Sequence, residues 1–266
     1  MNERVALVTG AARGIGAATV LALAGTGWSV LAVDSAADDP ALPYPMATPD
    51  DLARVVAQAG ESGGAGRVRS FAADVRDPDA IAAAVAEAER RWGGLDAAVA
   101  AAGVIAGGVP LWEVPPAQQQ AVLDVNLGGV LSLARAAVPA LLRRPAPRSG
   151  RFLAVASAAA TRGLPMLAAY CAAKAGVTGL IRALAAELAD SGVTANAVSP
   201  GSTATPILDE CARLYRLPGA QAFAGQQPAG RLLDPAEVAA VLAFLASRAS
   251  SGMTGAMVPV DGGLAL

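Results

Sequence analysis

A glycine-rich loop near the start of the chain constrains the fold most, because it joins an apolar run to a helical segment. The run is RVALVTG, the loop is Gly10-Ala-Ala-Arg-Gly14-Ile-Gly16, and an Ala/Leu-rich stretch follows. Glycines there let the backbone approach a pyrophosphate, and the helix N-terminus offers free N–H donors. An ordinary tight turn would also use glycine, but the flanking strand and helix favour a dinucleotide site. The expected contacts are Gly10, Arg13, Gly14, Ile15 and Gly16.

The acidic residue that ends the next apolar run indicates which dinucleotide is bound. Residues 28–33 predict a strand, and Asp34 lies 18 residues beyond Gly16, close to the ~20 expected of an acid that binds a ribose 2′-hydroxyl. A carboxylate there would repel a 2′-phosphate, which favours NAD over NADP. Arg13 favours NADP instead, since its guanidinium could pair with a phosphate. Asp34 outweighs it because it stands at the strand end, and Ser35 beside it is a further expected contact.

Strands alternate with helices along the chain, which predicts a parallel sheet with right-handed crossovers. The later apolar runs are RVRSFAADV, LDAAVAAAG, RFLAVAS, VTANAVS and AMVPV. We expect an α/β fold: a single Rossmann-type doubly wound domain over residues 1–266, with a seven-stranded parallel sheet and helices on both faces. Ligands of such sheets bind at the carboxyl ends of the strands. The residues expected to meet there are the glycine loop, Asp34, Asp74, Val75, Gly103, Ser157, Pro200 and Gly201.

Composition argues against several other classes of function. The net charge is −2, which disfavours a nucleic-acid surface or a polybasic membrane anchor. The chain has no histidine, so His-based triads and His-ligated metal sites are excluded and no metal is expected. Cys171 and Cys211 lie far apart without a CxxC spacing, which fits a reducing cytosol.

One uncharged segment, residues 14–33, is long enough to suggest a membrane span. A Gly-Thr-Gly triplet interrupts it, and β-forming residues follow. A buried helix, a turn and a strand explain the segment better. The chain also enters its first strand without the features of a signal peptide, so we expect a cytoplasmic protein that is not bound to a membrane.

Three residues carry the predicted chemistry. Tyr170 and Lys174 are four residues apart in a helix predicted over 167–190, so they share one face, and Ser157 ends the apolar run FLAVAS. Lowering a phenol pKa from near 10 to about 7 requires about 4 kcal/mol, and a neighbouring ammonium favours the phenolate. The serine hydroxyl can hold a carbonyl or alcohol oxygen. A Tyr-x-x-x-Lys pair alone is more often exposed, but together the three predict a proton-transfer site for an alcohol–ketone pair.

Two long segments interrupt the regular alternation. Residues 36–51 hold four prolines, which predicts a loop ahead of a helix opened by Asp50 and Asp51. The loop lies beside the expected adenosine site, and it is equally a functional segment or a solvated insertion. Residues 202–230 look irregular, with scattered large apolar side chains, and predict a mobile lid over an apolar pocket.

With these motifs in order, the chain resembles the short-chain dehydrogenase/reductase family over essentially its whole length. The matching positions are Thr9-Gly10-x-x-x-Gly14-Ile15-Gly16, Asp74, Asn126, Ser157, Tyr170-x-x-x-Lys174, and Pro200-Gly201 with Thr203 and Thr205. The resemblance implies that Tyr170 is the general acid/base and that Ser157 orients the substrate oxygen. It implies that Lys174 holds the nicotinamide ribose and lowers the tyrosine pKa.

The resemblance also assigns residues that the pattern alone does not. It implies that Asn126 holds a water in a proton relay, whereas a mid-helix asparagine within residues 118–143 would otherwise be taken for a surface residue. It places Thr203 and Thr205 near the nicotinamide and the phosphates. A homotetramer assembled through the helices over 118–143 and 167–190 is implied as well.

The chain departs from the family pattern at one place and carries one insertion. The usual Asn-Asn-Ala-Gly reads Ala100-Ala101-Ala102-Gly103, so only backbone contacts to the cofactor can remain there. The insertion, with Tyr44-Pro45-Met46-Ala47-Thr48-Pro49-x-Asp51-Leu52, resembles that of the mycofactocin-associated, carveol-dehydrogenase-like subgroup. This resemblance implies tightly held NAD and mycofactocin as the electron acceptor.

The expected function is an NAD-dependent alcohol dehydrogenase or ketone reductase. An apolar lid and the lack of a basic pocket favour a small hydrophobic secondary alcohol or ketone as the substrate. A 3-oxoacyl-carrier-protein reductase is the alternative enzyme, but it would use NADPH, which Asp34 opposes. A non-catalytic dinucleotide-sensing module is the alternative from another class, and such proteins often lack the tyrosine or the lysine that this chain retains.

Overall fold

A computed structural model describes residues 4–61 and 66–266. Seven strands form one parallel sheet in the order β3-β2-β1-β4-β5-β6-β7. The strands are β1 (Val5–Thr9), β2 (Ser29–Asp34), β3 (Val68–Ala72), β4 (Ala97–Ala100), β5 (Arg151–Val155), β6 (Thr194–Pro200) and β7 (Met257–Val260). The predicted seven-stranded parallel α/β sheet is therefore confirmed. The order reverses beside β1, and ligands of doubly wound sheets bind at such a switch point.

Helices cover both faces of this sheet. They are α1 (Gly14–Gly25), α2 (Pro49–Ala59), α3 (Pro78–Trp92), α4 (Pro116–Leu123), α5 (Gly129–Arg143), α6 (Ala168–Glu187), α7 (Pro206–Leu214) and α8 (Pro235–Ala246). Asp77 caps α3, because its carboxylate accepts hydrogen bonds from the backbone N–H groups of Asp79 and Ala80.

Alternate side chains of the strands pack in two separate hydrophobic cores. Ala6 and Val8 of β1 pack in the core that holds α1, α2 and α8, whereas Val5 and Leu7 pack in the core that holds α3, α5 and α6. All four side chains are fully buried. Burial on both faces explains why the strands read as continuous apolar runs rather than as alternating ones.

The uncharged segment 14–33 folds as α1, a turn and β2, as predicted. A different stretch, Pro116–Arg143, is long and apolar enough by length and composition to pass as a membrane span, but half of its apolar window is buried within the fold. The same stretch was predicted to be one helix over 118–143. It instead contains a π-helical turn over Asp124–Gly128 between α4 and α5.

The boundary of the predicted loop 36–51 was wrong by three residues. Thr48 is the N-cap of α2: its hydroxyl accepts a hydrogen bond from the backbone N–H of Asp51, whose carboxylate accepts one from the backbone N–H of Thr48. Pro49 fills the first helical position, where a missing N–H costs nothing. Asp50 and Asp51 were predicted to open the helix, but Asp51 supports the cap and Thr48 forms it.

The prediction that residues 202–230 are irregular was also wrong. The segment contains α7 and a 3₁₀ helix over Ala220–Gln226. Pro206 occupies the first position of α7, and Asp209 lies in its first turn. Proline at the first position and an acid near the N-terminus are both helix-start signals. The apolar residues of this segment are therefore divided between α7, the 3₁₀ helix and the turn that joins them.

Candidate active site

A cleft of about 540 Å³ opens at the carboxyl ends of the strands. Every residue that the sequence predicted at the cofactor lines it: Gly10, Arg13, Gly14, Ile15, Gly16, Asp34, Ser35, Asp74, Val75, Ala101, Ala102, Gly103, Tyr170, Lys174, Pro200, Gly201, Thr203 and Thr205. Ser157 lines the same cleft. Asn126 is the exception among the predicted site residues, because it lies behind the cleft wall.

The glycine loop approaches the end of β4 very closely. Gly10 has a φ of +66°, and a Cβ there would lie 2.5 Å from the backbone nitrogen and Cα of Ala102. Only glycine can occupy such a position without a clash. The backbone that follows β1 and the backbone that follows β4 therefore form adjoining walls of the cleft, with small alanine side chains at positions 101 and 102.

The Asp34 carboxylate is held at the carboxyl end of β2 by two backbone donors. It accepts a hydrogen bond of 3.0 Å from the N–H of Ala12 and another of 3.0 Å from the N–H of Ala36. These donors fix the carboxylate at the cleft rim. The guanidinium of the neighbouring Arg13 donates to the carbonyl oxygen of Pro45 at 3.0 Å.

The insertion, residues 36–48 between β2 and the N-cap of α2, crosses the adenosine end of the cleft. The hydroxyl of Tyr44 accepts a hydrogen bond of 2.9 Å from the N–H of Ile105, beyond β4. Burial raises the pKa of Tyr44 to about 12, so the phenol is neutral. On the other side, Asp39 pairs with Arg76 at 2.6 Å, and Arg76 also pairs with Asp74 at 2.6 Å. The insertion is thus bonded to the segments that follow β3 and β4.

Tyr170 and Lys174 lie on one face of α6 beside the end of β5. The Lys174 Nζ atom lies 5.7 Å from the centre of the Tyr170 ring and donates a 2.8 Å hydrogen bond to the carbonyl oxygen of Val155. Ser157 follows β5 directly, and its hydroxyl accepts a hydrogen bond from the N–H of Ala159. The side chains of Tyr170 and Lys174 therefore lie close together within the cleft.

Burial shifts the pKa values of both residues of this pair. Burial raises the pKa of Tyr170, and the neighbouring Ser157 hydroxyl only partly opposes the shift. Burial also lowers the pKa of Lys174 to about 8. Lys174 is not among the causes of the Tyr170 shift, so the expected lowering of the Tyr170 pKa by Lys174 stays a prediction. Tyr170 is therefore a neutral phenol at neutral pH.

Asn126 is fully buried and not a surface residue. Its side-chain nitrogen donates to the carbonyl oxygens of Val104 and Val122, both at 2.8 Å, and its side-chain oxygen accepts from the N–H of Val104 at 3.3 Å. It sits in the π-helical turn, a feature that often marks a functional site. A Cβ on Gly103 would lie 3.0 Å from the Asn126 oxygen and 3.8 Å from the Lys174 Nζ atom, so this asparagine lies close to the lysine.

Apolar side chains form the remaining part of the cleft, where the segment over 202–230 faces the loop after β5. Tyr215 and Phe223 pack edge to face with ring centres 6.2 Å apart, which joins the end of α7 to the 3₁₀ helix. The other apolar residues of this part are Leu164, Leu167, Leu208, Leu217 and Leu264. These side chains line the same cleft as Tyr170.

Sequence and structure comparisons agree with this geometry. A family model described as enoyl-(acyl carrier protein) reductase matches residues 10–265. Cis-4-hydroxycyclohexanecarboxylate dehydrogenase of Sinomonas cyclohexanicum is 40% identical over 98% of this chain and 96% of that protein. The chain belongs to the short-chain dehydrogenase/reductase family. The prediction of an enzyme of this family that acts on CH–OH groups is thereby confirmed.

Two further proteins that are similar to this short-chain dehydrogenase/reductase have more specific names. The solved structure of carveol dehydrogenase from Mycobacterium avium in complex with NAD is 34% identical, with a TM-score of 0.91 over 98% of this chain and 97% of that one. The 3-oxoacyl-[acyl-carrier-protein] reductase FabG of Thermotoga maritima is 34% identical over 100% of this chain and 99% of that protein. The two names correspond to the two enzymatic functions that the sequence left open.

The structure adds three residues to the site of this short-chain dehydrogenase/reductase. Arg76 was not predicted, although its place two residues after Asp74 could have suggested it. Gln227 is buried and holds both ends of the lid, because its side chain bonds to the N–H of Ser202 at 2.7 Å and to the carbonyl oxygen of Arg231 at 2.6 Å. Arg162, from the loop after β5, lines the apolar part of the cleft. The sequence predicted no basic pocket, and Arg162 is a single basic residue beside the apolar side chains of this part of the cleft.

Proposed function

We propose that this enzyme interconverts a cyclic, largely apolar secondary alcohol and its ketone with NAD. The observation that carries the proposal is the position of Ser157, Tyr170 and Lys174, where the dinucleotide part of the cleft meets the apolar part. The names of two relatives support a cyclic substrate, since carveol and hydroxycyclohexanecarboxylate both carry a secondary hydroxyl on a six-membered ring.

The residues present fit NAD. The Asp34 carboxylate, fixed by two backbone N–H groups, suits the two hydroxyls of an adenosine ribose and would repel a 2′-phosphate. Gly14 and Gly16 open α1 next to the cleft, where free N–H groups favour a pyrophosphate. Thr203 and Thr205 would hold the phosphates and the nicotinamide, and the close backbone at Gly10 keeps this part of the cleft narrow. Bound NAD supplies the hydride chemistry.

The protein contributes positioning and proton transfer. Ser157 would hold the substrate oxygen, and the neutral Tyr170 would donate its proton to that oxygen as a ketone is reduced. In the oxidative direction the Tyr170 phenolate would remove the proton of the alcohol. Lys174 would bind the nicotinamide ribose and stabilise the phenolate. Asn126 would hold the backbone beside Lys174 and leave room for a water in the proton relay.

The insertion supports a further proposal, that NAD is held so tightly that it does not exchange during turnover and that mycofactocin is the electron acceptor. Its bonds from Tyr44 to Ile105 and from Asp39 to Arg76 bridge the adenosine end of the cleft, and such closure slows dissociation. Dilution followed by gel filtration tests the idea: NAD should remain with the protein at a ratio near one. Loss of NAD, or many turnovers with free NAD, would rule it out.

The function itself is tested by assaying the purified enzyme with cyclic and acyclic secondary alcohols and with an artificial electron acceptor. We expect turnover of alicyclic alcohols and a strong preference for NAD. A 3-oxoacyl thioester with NADPH is the matched alternative, because the Thermotoga maritima relative is named for that activity. Faster reduction of the thioester than of any cyclic ketone would replace the proposed function by the alternative one.

The cytoplasmic location, the homotetramer and the single domain over residues 1–266 stay predictions. So does the non-catalytic alternative, in which the cleft binds a dinucleotide only to sense it. The close approach of Tyr170 and Lys174 disfavours this alternative, since a sensor has no need for a proton-transfer pair.

A further inference from the structure

One cation in the apolar part of the cleft has no acidic partner. Arg162 lies on the loop that follows β5, and its side chain is exposed at the mouth of the cleft. One guanidinium nitrogen donates to the carbonyl oxygen of Leu264. No carboxylate of the described residues lies within ion-pair distance of it. A guanidinium has five N–H donors, so most of its bonding capacity remains available to a ligand.

The loop that carries Arg162 stands at the substrate end. The Cys171 sulfur contacts the carbonyl oxygen of Arg162 at 3.8 Å, and Cys171 follows Tyr170 directly in α6. Farther along the same loop, the carbonyl oxygen of Pro165 accepts a 2.7 Å hydrogen bond from the Tyr215 hydroxyl of the lid. The guanidinium therefore lies on the rim of the space between the Tyr170 hydroxyl and the lid.

The other cations that line the cleft are already engaged. Arg13 donates to Pro45, Arg76 pairs with Asp39 and Asp74, and Lys174 donates to the backbone of Val155. Arg13 and Arg76 also belong to the adenosine end. A negative charge on the substrate would thus have a single available partner among the described residues that line the cleft.

The chain terminus holds Arg162 in place. The carboxylate of Asp261 accepts hydrogen bonds of 2.9 Å from the N–H groups of Gly263 and Ala265. This turn fixes Leu264, whose carbonyl oxygen binds the arginine and which lines the cleft itself. A guanidinium held by one bond is pre-organised, so less side-chain entropy is lost when a ligand binds.

We propose that Arg162 binds a carboxylate of the substrate, so that the physiological substrate is a compact alicyclic hydroxy acid rather than a neutral alcohol. This inference rests on the proposed function. The secondary hydroxyl would lie at Ser157 and Tyr170, the ring would contact the apolar side chains, and the carboxylate would face Arg162 at the mouth. Arginine suits this task because its planar fork binds both carboxylate oxygens at once.

The test compares 4-hydroxycyclohexanecarboxylate with its methyl ester, which keeps the ring and the hydroxyl but has no charge. We expect the wild-type enzyme to prefer the acid by at least tenfold in kcat/KM. Arg162→Gln should lower kcat/KM for the acid about 30-fold and change that for the ester less than twofold. Arg162→Lys should lie between, because it keeps the charge without the fork. Arg90→Gln, which removes a surface cation on α3, is the matched control and should change neither value.

A binding measurement separates this inference from the proposed function. Calorimetric titration of the NAD-loaded protein with cyclohexanecarboxylate, which cannot be oxidised, should show binding that Arg162→Gln weakens at least tenfold. If the enzyme oxidises no cyclic alcohol but this binding difference is found, the proposed function fails and the carboxylate site stands. If the enzyme oxidises the ester as well as the acid, or if Arg162→Gln affects both alike, the carboxylate site is wrong and the proposed function stands.

Discussion

At the residue scale, the site pairs a phenol that burial keeps protonated with an ammonium whose pKa burial lowers to about 8. Both shifts have one cause, the loss of water around a charged form. A neutral Tyr170 is ready to donate a proton to a ketone. To accept a proton from an alcohol it must first lose its own, and that step becomes easier as the pH rises.

The pH dependence of the two directions should therefore be opposite. Because the pKa of Tyr170 is raised, the phenolate fraction increases about tenfold per pH unit below that pKa. We expect kcat/KM for alcohol oxidation to rise from pH 6 to pH 9 and kcat/KM for ketone reduction to stay level or fall. Initial rates in both directions with one alcohol–ketone pair check this. A bell-shaped pH profile of kcat/KM for oxidation, centred near pH 7, would contradict this prediction.

Replacement of Asp34 should change the choice of dinucleotide. Asp34→Ser removes a charge that would face the 2′-phosphate of NADP and keeps a small polar side chain for the ribose. Since like charges in contact cost several kcal/mol and each 1.4 kcal/mol is tenfold, we expect the NAD/NADP ratio of kcat/KM to fall about 100-fold. Asp38→Ser, in the same segment, is the control. An unchanged ratio would show that Asp34 does not select the cofactor.

Sequence reasoning correctly placed the residues whose positions follow from spacing. It failed for properties that depend on how deeply a side chain is buried. Tyr170, Lys174 and Asp34 could be placed because helix period and strand ends fix them. The protonation of Tyr170 could not, because it depends on how completely other elements cover it. The position of the Arg162 guanidinium also could not be predicted, since it is held by Leu264, which is distant in the sequence.

At the element scale, the insertion is bonded to other segments that border the cleft. Bonds to Ile105, Arg13 and Arg76 hold it beside the cleft. The sequence left a functional loop and a solvated insertion equally open. The structure favours the first alternative, since Leu42 and Ala47 of the insertion are buried against the fold.

Loss of the Tyr44 contact should speed the release of NAD. Tyr44→Phe removes the acceptor for the N–H of Ile105 and leaves the ring in place. An unsatisfied bond of this kind is worth about 1 kcal/mol, so we expect NAD to dissociate about fivefold faster in stopped-flow fluorescence. Tyr215→Phe, which removes the hydroxyl that bonds to Pro165 in the substrate part of the cleft, should leave that rate unchanged. Equal effects of the two variants would show that the insertion does not retain NAD.

In the lid, residues 202–230, the sequence prediction missed a helix. Local signals for α7 were present, namely Pro206 and an acidic first turn, but the long irregular surroundings outweighed them. The role of Gln227 has no local signal at all. It depends on the meeting of two segments, at Ser202 and Arg231, that only the folded chain brings together.

At the scale of the whole molecule, the fold was predictable because it needs only the alternation of strands and helices and the rule of right-handed crossovers. The oligomeric state does not follow from this alternation. The predicted tetramer uses the outer faces of α5 and α6, and Leu131 of α5 is 48% exposed. An exposed leucine alone is common, so the prediction needs a direct test.

A charge on α5 should disrupt the predicted tetramer. Leu131→Glu would bury a carboxylate in an apolar contact between copies, which costs more than such a contact returns. We expect the wild-type protein at the mass of a tetramer and Leu131→Glu at a lower mass in light scattering coupled to gel filtration. Leu111→Glu, at a leucine 47% exposed outside these helices, is the control. If the wild-type protein is a monomer in this measurement, the tetramer prediction is wrong.

The central claim is that the Tyr170 hydroxyl transfers the proton within a dinucleotide cleft. Tyr170→Phe keeps the ring and removes only that hydroxyl, so its most direct test measures turnover and NAD binding on the same sample. We predict that kcat falls by about 10³-fold or more, in the upper range for general acid–base catalysis, while the Kd for NAD changes less than threefold. A variant that keeps more than a tenth of the wild-type kcat would contradict the account.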